Sequence, residues 1–226
     1  GTSLRVGFLT IGQSPRPDIT SDLPKTLSSL EVIEAGALDD FSGDQIVSLR
    51  PRENETVYVS RLRDGSEVQL ARERLAPLLR ENVGLLRRNG ARSIVLLCSG
   101  EFDLGTEESV VFPSKLLRSA VECQVRRKSR LGVLVPGEAQ VQDAEAEWSE
   151  LAQDVKALSF SPYADSADSL KASAKALSDR DVIVMDCIGY TREHRRMTRR
   201  ISGKPVIAAR TIAFRFLEEL YSEDSG

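Results

Sequence analysis

Apolar and polar positions along the chain alternate between two periods. Short β-branched runs at 5–10, 31–38, 56–60, 93–98, 130–135, 181–187 and 205–208 read as strands. The nearly unbroken apolar character of Ile94 to Leu97 and of Val182 to Met185 suits central strands covered on both faces, as in parallel sheets. Between these runs lie patterns of helical spacing. Ser66-Glu67-Val68-Gln69 fits a capping box and predicts a helix carrying Ala71, Leu75, Leu78, Leu79 and Leu86, with Gly90 past its end. Asp165 or Ser166 caps a helix running to Ser178, and Ile212, Ala213, Phe216, Leu217 and Leu220 form an apolar stripe near the C-terminus. Strands alternating with helices over short connections predict an α/β fold built on mainly parallel sheets.

The two halves resemble each other. Arg5-Val6-Gly7-Phe8-Leu9 is similar to Arg130-Leu131-Gly132-Val133-Leu134, and 93–100 (SIVLLCSG) is similar to 182–189 (VIVMDCIG). Each half opens with one strand and closes with another that carries a cysteine at its C-terminal end. A helix follows each cysteine segment, at 113–121 in the first half and within 207–220 in the second. Strand propensity does not require cysteine at those two points, so the pattern reads as an internal repeat.

Composition narrows the function classes. With 226 residues, 41% hydrophobic and 29% charged, the chain has ample apolar content for a core, which excludes disordered, collagenous and disulfide-scaffold proteins. A net charge of -3 argues against a general nucleic-acid binder. No apolar run approaches the ~20 residues that span a bilayer, so no membrane partner is expected. Gly1 to Ser3 are set aside from the fold reading, and no leader peptide is expected ahead of the first strand. Three cysteines cannot all pair within one chain, which suggests a reduced, cytoplasmic protein. A single histidine and the absence of C-x-x-C exclude a zinc site, and no metal is expected. G-x-G-x-x-G, G-K-[ST] and G-x-S-x-G are also missing, so dinucleotide, P-loop and serine-hydrolase chemistry are not expected.

The candidate chemistry centres on Cys98 and Cys187. Ligands of open parallel sheets sit at the carboxyl ends of the strands, where both cysteines fall, each followed closely by a glycine (Gly100, Gly189). After Gly189 a helix is expected near Tyr190 or Thr191, and a helix N-terminus favours a thiolate or a bound carboxylate. The competing reading is that each thiol is a small buried hydrophobe. That reading is assigned to Cys123, in mid-helix after Leu116, Leu117 and Ala120.

Other residues extend the list. In the first loop Arg16 is either a bidentate carboxylate clamp, oriented by Gln13 and Ser14, or a solvated residue of a proline-rich turn. His194 lies seven residues past Cys187, either as a proton shuttle or on the polar face of a helix beside Arg195, Arg199 and Arg200. Glu101 and Asp103 could supply a general acid, and Asp186 alternates to the far side of its strand as a structural hydrogen-bonder.

These residues carry a family resemblance. The duplicated halves, each with a cysteine after its last core strand, look like the aspartate/glutamate (hydantoin) racemase superfamily. Within it, the run from Thr10 to Asp18 (TIGQSPRPD), the Leu97-to-Phe102 segment (LCSGEF) and Asp186-Cys187-Ile188-Gly189-Tyr190 with His194-Arg195 resemble the AroM family, whose name reflects genetic context rather than chemistry. The resemblance implies two pseudo-symmetric lobes, 1–112 plus 206–226 and 113–205, with the site in the cleft between them. It implies catalytic Cys98, Cys187 and His194. Thr10, Gly12, Gln13, Ser14, Arg16, Ser99, Gly100, Glu101, Gly189, Tyr190 and Arg195 are the implied substrate-binding residues.

Racemases of the superfamily use paired cysteines, without cofactor, to remove and return an α-proton. The expectation is therefore a cofactor-independent racemase or isomerase acting on a small carboxylate or amino-acid-like substrate, as a homodimer. Two alternatives stand beside it. One is a single-cysteine decarboxylase or cis-trans isomerase, and the other is a non-catalytic protein that binds small anions. Racemases of this type usually follow cysteine with Asn-Thr or Thr, where this chain has Ser99-Gly100 and Ile188-Gly189. Ser99 can donate a hydrogen bond and Ile188 cannot, which argues against aspartate or glutamate as substrate.

Overall fold

The computed structural model describes residues 4–105 and 110–223. The chain divides into two compact units, Gly1–Pro113 with Phe214–Gly226, and Ser114–Ala213. In the first unit the elements are β1 (Arg5–Thr10), α1 (Pro17–Thr20), β2 (Glu31–Gly36), α2 (Gly43–Val47), β3 (Val57–Arg61), β4 (Glu67–Ala71), α3 (Arg72–Arg88), β5 (Ser93–Leu97) and β6 (Val110–Val111). Then come α4 (Pro113–Gln124), β7 (Arg130–Val135), α5 (Val141–Trp148), β8 (Asp154–Ser159), α6 (Ala167–Ala176), β9 (Val182–Met185), α7 (Arg192–Ser202), β10 (Val206–Ala208) and α8 (Ala209–Tyr221).

The α/β architecture follows the sequence pattern. The first parallel sheet has the order β2-β1-β5-β6, and the second has β8-β7-β9-β10. These are the same order traced through corresponding strands. The rungs correspond as well: Gly7 pairs with Ile94 in the first sheet, and Gly132 pairs with Ile183 in the second. Counting four residues on from each isoleucine reaches Cys98 and Cys187, so both thiols leave their sheets at the same rung.

Buried apolar stripes hold the layers together. In α3 the residues Leu75, Leu79, Val83 and Leu86 recur at helical spacing and pack with Leu9, Ile94 and Leu96 in one cluster. In the second unit Leu117 and Val121 of α4 and Trp148 of α5 pack with Leu131, Val133 and Val184. A fully buried leucine contributes about 1.5–3 kcal/mol relative to an exposed one, so these stripes dominate the adhesion of helix to sheet. Ser166 caps α6 by accepting the Ser169 N–H.

Three features differ from the sequence reading. The supposed capping box at 66–69 opens strand β4 instead of a helix, and the helix begins at Arg72. Val68 and Leu70 are buried and Gln69 is exposed, a two-residue period, and β4 pairs antiparallel with β3. The Ser66 hydroxyl donates to the Asp64 carboxylate rather than capping a helix. Second, β10 pairs with β9, and the chain returns to the first unit within α8, between Ala213 and Phe214, rather than near Pro205. Third, Cys123 is exposed on α4, because the stripe through Leu117 and Val121 passes it by. Among the described residues no helix is long and apolar enough to cross a membrane.

Candidate active site

Both cysteine turns are built alike. Cys98 and Cys187 each end a strand-borne run, and in each turn the glycine two residues later donates its N–H to the cysteine sulfur at 3.3 Å. Neither thiol is in a disulfide, and they have 7% and 4% of their surface exposed. Burial at that level fits a packing role as well as a reactive one. The matched N–H···S contact adds a chemical feature, since a donor aimed at sulfur favours the thiolate.

A tyrosine closes each turn. A Cβ on Gly100 would lie 2.4 Å from Tyr58 Cζ, and one on Gly189 would lie 2.4 Å from the Tyr163 hydroxyl. Only glycine lets the backbone come so near those rings. Tyr58 accepts the Glu101 N–H at 3.0 Å and lies 3.2 Å from the Glu101 carbonyl oxygen, and Phe102 packs edge-on against its ring. Burial, and then the neighbouring Cys98, push the Tyr58 hydroxyl above its ordinary range. These contacts hold the backbone of Glu101, whose side chain is exposed like that of Asp103.

In the second unit Tyr190 is fully buried and donates to the Phe160 carbonyl at 2.7 Å. Burial first, and Cys187 second, raise its ionisation well above the usual value. His194 sits in the first turn of α7, where Thr191 and His194 form a reciprocal capping box. The Thr191 N–H donates to His194 Nδ1 at 3.1 Å, which places the proton of the neutral ring on Nε2. The imidazole packs edge-on against Phe160 and Tyr190, a half-buried position unlike an open polar face. Arg195 donates to the Val206 carbonyl and ties α7 to β10. Asp186 accepts from the Trp148 indole, the structural role expected of it.

The first loop is neither an open clamp nor a solvated turn. Arg16 is 2% exposed and its fork grips Asp18 with two hydrogen bonds, at 3.0 and 2.9 Å. It also donates to the hydroxyls of Thr10 and Ser60, so these donors tie the loop together. Thr10 accepts the Gly12 N–H as well. Gln13 donates to the Leu38 carbonyl and accepts the Arg63 N–H, and Ser14 donates its N–H and hydroxyl to Asp39. Gly12 accepts from Leu38 through its own carbonyl. The structure thus joins Thr10, Gly12, Gln13, Ser14 and Arg16 in one network, while Cys98, Gly100 and Glu101 gather around Tyr58.

Sequence reasoning missed Tyr58, Tyr163 and Arg210. Arg210 is fully buried, and it donates from Nε to the Ile188 carbonyl at 2.9 Å and from a terminal nitrogen to the Gly189 carbonyl at 3.2 Å. A charged residue inside the apolar run from Val206 to Phe214 was the available signal for it. The tyrosines carry no comparable local sign.

No curated protein matches the chain by sequence. Solved structures do match it in fold. A variant of arylmalonate decarboxylase in its liganded form aligns with a TM-score of 0.62 and 14% identity, covering 96% of this chain and 92% of that one. Allantoin racemase from Pseudomonas fluorescens aligns at 0.56 with 13% identity, covering 96% and 90%. Glutamate racemase from Aquifex pyrophilus aligns at 0.56 with 13% identity, covering 98% and 85%. These likenesses show a shared fold. Residues 6–221 match the family model described as AroM protein, which extends over most of the sequence, and on that match the chain belongs to the AroM family.

Proposed function

We propose that this chain is a cofactor-independent racemase or isomerase of a small carboxylate, with Cys98 and Cys187 as its acid–base pair. In one direction a thiolate takes the proton from the carbon next to the carboxylate, and the other thiol returns a proton to the resulting carbanion. The reverse direction exchanges their roles. The observation that carries the reading is the identical placement of the two thiols, each at the same rung of its sheet and each facing a glycine N–H at 3.3 Å. The named substrates of the similar structures support it. Arylmalonate and glutamate are carboxylates, and all three, allantoin included, carry a carbon–hydrogen or carbon–carboxylate bond next to a carbonyl. Tyr190 and His194, which pack together beside the Cys187 turn, line the site in this reading. A homodimer in the cytoplasm belongs to it too, and sedimentation tests the dimer.

Deuterium incorporation at Cα in heavy water, measured across a panel of small 2-substituted carboxylic acids that includes glutamate, tests the proposal. Exchange should occur with at least one acid and should fail in both Cys98→Ala and Cys187→Ala. If both variants keep full exchange, the two-thiol mechanism is wrong.

A single-thiol reaction is the second reading, and the unequal turns favour it. Ser99 follows one cysteine where Ile188 follows the other, and a buried arginine holds only the second turn in the contacts above. Loss of turnover in Cys187→Ala alone would select this reading. Ligand-dependent thermal stabilisation without any turnover would select a binding protein instead.

A further inference from the structure

The Ile188 carbonyl and the Gly189 N–H belong to one peptide group, and that group joins Arg210 to Cys187. Arg210 Nε donates to its oxygen at 2.9 Å, while its N–H donates to the Cys187 sulfur at 3.3 Å. A permanent cation on the carbonyl polarises the amide, and hydrogen bonds in such a chain strengthen one another. The second bond, to the Gly189 carbonyl, fixes the next peptide of the turn.

Register identifies the corresponding residue in the other half. Ile94 pairs with Val110 and Ile183 pairs with Val206, so four residues further on Ser114 corresponds to Arg210. Ser114 presents a neutral hydroxyl whose oxygen is buried without a hydrogen-bond partner among the described residues.

We infer that Arg210 is a positioning residue that stabilises the thiolate of Cys187 through the shared peptide, so that Cys187 rather than Cys98 is the resting base. Among the described residues, Cys187, Asp186, Tyr163 and Asp165 act electrostatically on the adjoining Tyr190, and His194 packs edge-on against its ring. A carboxylate near a thiolate opposes it, and Arg210, buried and bonded to the shared peptide, is a cation placed to offset such charge. The inference rests on Cys187 being a working thiol. Its test uses no substrate, so its failure is distinguishable from failure of the proposed reaction.

The test follows ultraviolet thiolate absorbance against pH in two proteins. Cys98→Ser with Cys123→Ser leaves Cys187 alone, and Cys187→Ser with Cys123→Ser leaves Cys98 alone. Cys187 should ionise at the lower pH. Adding Arg210→Gln to the first protein should cut its thiolate about tenfold at a fixed pH on the acid side of the transition, equivalent to a shift of roughly one pH unit. Arg210→Lys keeps the charge without the fork and should fall between. Circular dichroism establishes folding, and a merely structural role would lower thermal stability without moving the titration. An unmoved titration in folded Arg210→Gln overturns the inference. Should that variant not fold, the first comparison decides, and Cys187 ionising at or above the pH of Cys98 overturns it.

Discussion

The Tyr58 ring fills the space that a side chain on Gly100 would need, with Tyr58 Cζ 2.4 Å from where a Cβ would stand. Gly189 meets the Tyr163 hydroxyl at the same separation. Gly100→Ala and Gly189→Ala should each cost about 1–3 kcal/mol as overpacking displaces a ring and the thiol turn beneath it. Thermal unfolding measures the loss, and proton exchange should fall with it. Gly43→Ala is the control: nothing lies within 4 Å of its Cβ position at the start of α2, and it should be neutral or stabilising by about 0.5 kcal/mol. A control as damaging as the other two would sink the steric account.

Arg16→Met should act on stability before it acts on binding. The substitution takes two hydrogen bonds from Asp18, which keeps its ion pair with Arg61, and removes donors from Thr10 and Ser60. Breaking a buried pair costs about 3–5 kcal/mol, and the partial exposure of Asp18 and its remaining pair with Arg61 place this case at or below about 3 kcal/mol. Urea unfolding checks the figure. A fully stable variant with impaired substrate binding would return Arg16 to the role of carboxylate clamp.

Alkaline pH should weaken the fold through its tyrosines. Burial keeps Tyr58 and Tyr190 neutral in the folded chain at pH values where an unfolded tyrosine, ionising near about 10, has released its proton. The folded state then holds more protons than the unfolded one, so stability is fully present below about pH 10 and declines above it. Tyr190→Phe should make that decline shallower, while costing about 1 kcal/mol at neutral pH for the lost bond to Phe160. Urea titrations between neutral and alkaline pH would reveal an unchanged slope if Tyr190 has no part in it.

Cys123→Ser should be nearly silent, within about 0.5 kcal/mol, because the thiol is exposed. A large loss of thermal stability would contradict its placement on α4.

Much of this organisation was readable from the residues alone. Strand–helix alternation, the Ser166 cap and the recurrence of cysteine after each central strand are local signals, and the paired sheets bear them out. Ser66-x-x-Gln69 misled for the same reason: a local capping signal lost to cross-strand pairing with 57–61. Cys123 misled because helical context does not say which face meets the core. The contacts between Tyr58 and Gly100, and between Arg210 and Ile188, join segments far apart in sequence, so periodicity has no access to them. The proline-rich loop was visible as a motif, but its internal use of Arg16 depended on Ser60, on another strand.

That dependence bears on transplantation. Gln13 takes the Arg63 N–H and gives its own N–H to the Arg61 carbonyl, while the Arg63 side chain reaches the Ser14 carbonyl. The motif from Thr10 to Asp18 is therefore half a joint, and its mate is the β3–β4 hairpin. Grafted onto a scaffold without that hairpin, the nine-residue cassette would carry its spelling but not its shape.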